Sequence, residues 1–123
     1  MKKLMFIPFF IVLLPYITLG IFYREQENDI FVKVKTDNNV LSIPLEEYVI
    51  HVLAGEMPAS FSDEALKAGA IVSRSYAIYK IKQSNSYDVT DNTLTQVYLT
   101  DNELKEKWQK NYVNNLKKIK SAV

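Results

Sequence analysis

The run Leu53-Ala54-Gly55-Glu56-Met57-Pro58 sets a single carboxylate in a glycine-proline corner flanked by apolar side chains. A carboxyl in such a place is poorly solvated. Lost hydration disfavours the anion, so Glu56 would hold its proton near neutral pH and act as a general acid. The same position also fits a plainer role, a residue at a helix end that caps or pairs with an arginine. Arg74 is the arginine to weigh, because it stands inside the small, apolar stretch Ala68 to Ala77, where a solvated charge is out of place. A buried guanidinium requires a carboxylate. Glu56 is the expected partner, with Arg74 against the Gly55–Pro58 corner, and the pair would be structural or would bind a substrate.

Other side chains offer less. His51 falls off the apolar stripe of its segment and reads as an exposed or rim histidine. Glu46 and Glu47 read as a solvated first helical turn. Asp88 and Asp91 lack the Asp-x-Asp-x-Asp-Gly spacing of a calcium loop and fit turn formation better. Ser73 and Ser75 have no flanking glycines of a nucleophile elbow. Lys105, Lys107, Lys110, Lys117, Lys118 and Lys120 make the last segment basic, which is a solvated face or a surface for acidic polymers or lipid head groups.

The elements that must place these residues follow from periodicity. Ile30 to Lys35 alternates as a half-buried strand does, Thr36-Asp37-Asn38-Asn39 is turn chemistry, and Val40 to Ile43 returns as the second strand of a hairpin. Pro44 opens a helix whose face is Leu45, Val49, Val52 and Leu53 and which ends at Gly55. Ser60 to Asp63 has capping-box spacing before a helix over Glu64 to Ile81, expected to be the central one, in which Ala65, Leu66, Gly69, Val72, Tyr76 and Tyr79 or Lys80 recur. Gln83 to Thr93 reads as a polar loop and Thr95 to Tyr98 as a short strand. Thr100 and Glu103 form a second capping box, and Leu104, Trp108, Tyr112, Leu116 and Ile119 step along one last helix. The expected class is α+β, a mainly helical domain with a short β-hairpin.

Composition bounds what such a domain can do. The 123 residues are 48% hydrophobic and 24% charged with few Gly and Pro, which excludes disorder and low-complexity classes. No cysteine is present, so thiol chemistry and Cys-type zinc sites are excluded, and one histidine excludes a multi-histidine metal site. No metal or other cofactor is expected. Setting aside Lys2 and Lys3, fifteen basic against fourteen acidic side chains becomes thirteen against fourteen, and no nucleic-acid partner is expected.

Leu4 to Tyr23 carries no charge over twenty residues, about 30 Å as a helix, the thickness of a bilayer core. Residues 1–23 are therefore expected to be an uncleaved single-pass anchor, with a cleavable signal peptide as the competing reading. Lys2 and Lys3 would stay in the cytoplasm, placing a 24–29 tether and a 30–123 domain on the extracytoplasmic side.

Ile43 to Val49, Ala54-Gly55-Glu56-Met57-Pro58-Ala59-Ser60-Phe61, Glu64 to Ala68, Ala70 to Ala77 and Gln96-Val97-Tyr98 together give this chain its resemblance to the stage II sporulation protein D family and its amidase-enhancer relatives. That resemblance implies a membrane-anchored lytic transglycosylase that cleaves peptidoglycan glycan strands, thinning septal wall during engulfment with a cell-wall amidase as partner. It implies Glu56 as catalytic acid/base, Arg74 as an active-site residue, and substrate contact by Tyr76, Gln96 and Tyr98. Some family members have Cys and His near the Gln-Val-Tyr segment that can hold a metal; Leu94 and Thr95 stand here instead. Family proteins also continue past this last helix, so the resemblance implies that the chain is an N-terminal portion. A non-catalytic glycan-binding or amidase-enhancing module, an inactive fragment and a tethered interaction domain remain the alternatives.

Overall fold

The computed structural model describes residues 30–36, 39–84, 86–91 and 95–123. The expected anchor and tether lie outside them, and among the described residues no helix is long and apolar enough to cross a membrane. The architecture is mixed α+β.

Strand β1 (Phe31–Lys35) buries Val32 and Val34 and exposes the residues between them, as its alternation requires. It pairs antiparallel with β2 (Val40–Pro44), from Phe31 opposite Pro44 to Lys35 opposite Val40. A third strand corrects the polar-loop reading of Gln83 to Thr93: β3 (Val89–Thr90) runs parallel to β1, giving the order β2-β1-β3. Asp88 makes this possible. Its N–H donates to the Lys33 carbonyl at 2.8 Å and its carboxylate accepts from the Lys33 N–H at 2.7 Å, so the aspartate extends the ladder by one residue. Thr95 to Tyr98, expected as a strand, is an irregular strap.

Helix α1 (Leu45–Glu56) starts directly after Pro44, whose fixed φ suits a helix entry. Seven of its twelve residues are buried, so α1 is the central helix and α2 (Asp63–Gln83) is not. Helix α2 buries only Leu66, Ala70, Ser73 and Ala77 and leaves Ile71, Val72 and Tyr79 exposed. Its N-cap is Ser62, whose hydroxyl accepts from the Ala65 N–H, two residues beyond the capping box read at Ser60. The two helices touch through Gly69, where a Cβ would run into Met57 and Leu53 side chains.

The last helix is two helices. Thr100 and Glu103 form the expected capping box at the start of α3 (Asp101–Trp108). Gln109 then adopts φ 44°, a left-handed backbone that costs a non-glycine residue about 1–3 kcal/mol. A 3-10 turn (Gln109–Asn111) leads into α4 (Tyr112–Ala122). Leu104 and Ile119 are fully buried and join β1 and α1 in one core, whereas Trp108 and Tyr112 are half-buried at its edge.

Candidate active site

Glu56 is the last residue of α1 and is exposed to solvent. The apolar corner does not enclose it, which corrects the expectation of a buried carboxyl. Its Oε1 accepts the Val97 N–H at 3.2 Å. The preceding residue has to be glycine for this contact to form, because a Cβ on Gly55 would collide with the Val97 carbonyl oxygen. Strap and helix end therefore meet backbone to backbone.

The strap is held from behind by a small aromatic cluster. The Tyr48 hydroxyl donates to buried Gln96 Oε1 at 3.1 Å. Tyr98 stacks on Tyr48 at 5.8 Å between ring centroids and on His51 at 5.2 Å. His51 is buried, with Nδ1–H donating to the Leu99 carbonyl at 2.5 Å, so it is a strap-holding histidine and not a rim residue. Burial pushes the Tyr48 phenol well above its ordinary value, with the Glu56 charge adding to the effect. Burial first, then Glu47, Asp101 and Glu103, pushes Tyr98 up to about 12.

On its open side Glu56 faces a cleft of about 540 Å³ lined by Gly55 to Ser60 from the corner and by Lys107, Trp108, Asn111 and Asn115 from α3, the 3-10 turn and α4. Glu56 is the one carboxylate among the described residues that line it. Trp108, Asn111 and Asn115 give the cleft an indole and two carboxamides, and Pro58 adds an apolar ring from the corner. Neither asparagine stands out in sequence. Only the bend at Gln109 and the fold of α3 and α4 onto the corner bring them to it.

Arg74 is elsewhere. Its guanidinium binds Glu46 with two bonds, Nε to Oε1 at 2.9 Å and Nη2 to Oε2 at 2.5 Å, and Nη2 also donates to the Val123 carbonyl at 3.0 Å. Glu46 precedes Glu56 by ten residues, about 15 Å along a helix. The expected Arg74–Glu56 pair does not form; Arg74 joins the opposite end of α1 to α2, and the hydrogen bond to Glu46, helped by the charge of that carboxylate, raises its pKa. Tyr76 is half-buried against the core beneath a Lys80 ammonium, and Tyr76, Gln96 and Tyr98 all lie outside the cleft lining. Among the described residues no three His, Asp or Glu side chains gather as metal ligands would.

A family model described as Stage II sporulation protein (SpoIID) matches residues 33–123, and the chain belongs to that family. It is 43% identical over 107 residues to Stage II sporulation protein D of Bacillus amyloliquefaciens, covering 81% of this chain and 31% of that relative. To Stage II sporulation protein D of Bacillus subtilis it is 42% identical over 93 residues, covering 71% of this chain and 27% of the relative. An uncharacterized protein of Brachyspira hyodysenteriae is 44% identical over 62 residues, 48% of this chain and 17% of that protein. The chain thus spans less than a third of the length of these relatives.

Proposed function

We propose that the chain carries the acid/base corner of a peptidoglycan lytic transglycosylase of the sporulation type, anchored by residues 1–23 with its domain on the extracytoplasmic side and working beside a cell-wall amidase. The observation that supports this reading is a cleft lined by Trp108, Asn111 and Asn115 with one carboxylate, Glu56, held by the Val97 N–H.

Cleavage of a glycosidic bond by water normally takes two carboxyl groups, one for the leaving oxygen and one for water or covalent attack. One suffices when the nucleophile belongs to the sugar. Glu56 gives its proton to the glycosidic oxygen as the bond to the anomeric carbon breaks. The sugar's own 6-hydroxyl then bonds to that carbon and returns its proton to the carboxylate, closing a 1,6-anhydro ring and restoring the acid. Attack from within the ring system carries little entropic cost. In this reading Tyr48, Gln96 and Tyr98 act by holding the strap that orients Glu56, Tyr76 supports them from α2, and Arg74 fixes the far end of the helix.

Glycan strands incubated with a form extended to the length of the relatives are expected to yield products ending in 1,6-anhydro sugars, and Glu56→Gln should abolish them while binding survives, since a positioned acid/base contributes about 10²–10⁴-fold. Ordinary reducing ends would mean that water attacks and a second carboxylate is at work. A second reading, a glycan-binding or amidase-enhancing module without turnover, is favoured by the solvent exposure of Glu56. Binding by the wild-type chain with no cleavage would establish it over the first.

A further inference from the structure

The last turn of α1 has no basic side chain of its own. A helix ends in carbonyls that no later turn satisfies and in a partial negative charge, so its final residues fray unless something outside the helix holds them. Lys107 of α3 does so here. Its ammonium donates to the Ala54 carbonyl at 2.9 Å and to the Gly55 carbonyl at 3.0 Å, the two peptide groups directly before Glu56. On the other side of that turn, Val97 N–H holds the Glu56 carboxylate itself. Lys107 also lines the cleft next to Trp108. Its neighbours Lys105 and Lys110 make no such contacts with α1 among the described residues, which separates this lysine from the solvated face to which its sequence position assigns it.

We propose that Lys107 is a positioning residue. By binding the Ala54 and Gly55 carbonyls it fixes the direction in which Glu56 leaves α1, keeps the carboxylate on the Val97 N–H, and presents it to the cleft. The catalytic part of this inference rests on the reading of Glu56 as acid/base; the geometric part does not.

The test follows the Val97 amide in proton–nitrogen correlation spectra of the full chain held in detergent, with wild type, Glu56→Gln, Lys107→Met and Lys107→Arg compared. Replacing the carboxylate should move the Val97 signal, Lys107→Met should move it in the same direction, and Lys107→Arg, which keeps a cationic donor, should leave it near the wild-type position. Amides of Val32 and Val34 in β1 should stay in place throughout. A Val97 signal moved by Glu56→Gln but untouched by Lys107→Met overturns the proposal, as does one that Glu56→Gln leaves unmoved. Should Lys107→Met lose its folded spectrum, Lys107→Gln, whose neutral and shorter amide holds the two carbonyls less well, should move the Val97 signal in the same direction by a smaller amount, and an unmoved signal there overturns the proposal as well. In glycan cleavage Lys107→Met should lower kcat roughly tenfold or more with KM within about twofold, because a misdirected catalytic group loses rate through orientation; an equal loss of binding overturns the positioning role. Absence of cleavage by wild type would remove the transglycosylase reading, while the Val97 comparison would still decide the role of Lys107.

Discussion

Gly55 and Val97 meet through their backbones, forty-two residues apart in sequence, with no room for a side chain on the glycine. This contact locks the strap to the end of α1 and sets the Val97 N–H on Glu56. Gly55→Ala should therefore do more than add a methyl group. The obstacle is a carbonyl, which cannot rotate away as a side-chain end can, so the strap must shift and loosen the Tyr48–Gln96 bond behind it. A loss of about 1–3 kcal/mol in denaturant unfolding is expected. Wild-type stability in this variant would show that the strap is free to move.

Why the corner was legible in sequence while its partners were not is a matter of range. Glu56 stands out because Gly55 and Pro58 are rare residues with local backbone consequences, and the hairpin and the Thr100 capping box are likewise local. Arg74 pairs with Glu46 and not with Glu56; a charge in an apolar helix says that a carboxylate is near without saying which. Helix α1 offers three carboxylates, Glu46, Glu47 and Glu56, and the relative placement of α1 and α2 brings Glu46 within reach. The central helix is α1 and not α2 for a related reason. Small residues mark α2 as a close-packing helix, but burial goes to the helix with neighbours on several sides, and α1 is covered by the sheet, α2 and the later helices. Asp88, Lys107, Asn111 and Asn115 act only through tertiary contacts, and the break at Gln109 has no proline or glycine to announce it.

The Arg74–Glu46 pair gives a prediction about magnitude. Arg74 keeps 26% and Glu46 58% of its side-chain surface exposed, so solvent screens the pair. Alanine at either position should cost about 0–1 kcal/mol, far from the 3–5 kcal/mol of a truly buried pair. A double-mutant cycle on chemical unfolding measures the coupling directly. A coupling above about 2 kcal/mol would mean that the pair is shielded in solution, beyond what its exposure allows.

The capping box at α3 makes an acid-side prediction. Hydrogen bonds from the Thr100 hydroxyl and then from its backbone N–H hold Glu103 below its ordinary value near 4.5. A depressed carboxylate contributes stability that is present above the unfolded value and disappears as pH falls through the folded one. Thermal melts should show the wild type losing an increment of stability below about pH 4.5 that Glu103→Gln does not show. Thr100→Ala should cost about 1 kcal/mol at neutral pH and remove most of the same acid-dependent increment. Parallel pH profiles for wild type and Glu103→Gln would sink the assignment.

Tyr98 supplies the alkaline counterpart. It stacks on the rings of Tyr48 and His51, and its phenol is pushed up from 10.0 to about 12 by burial and by the charges of Glu47, Asp101 and Glu103. A raised phenol is held neutral by the fold, so its contribution is full below pH 10 and is lost as pH rises toward 12. Because the strap carries Val97, alkaline ionisation of Tyr98 should release Glu56 as well as destabilise the domain. The Tyr98→Phe variant keeps the stacked ring and removes the titrating group. It should therefore retain neutral-pH stability within about 1 kcal/mol, lose one late step from the phenolate absorbance titration, and unfold less steeply between pH 10 and 12 than wild type. Equal steepness in the two proteins would place the alkaline sensitivity on Tyr48 instead, whose phenol is raised further by deeper burial and by Glu56.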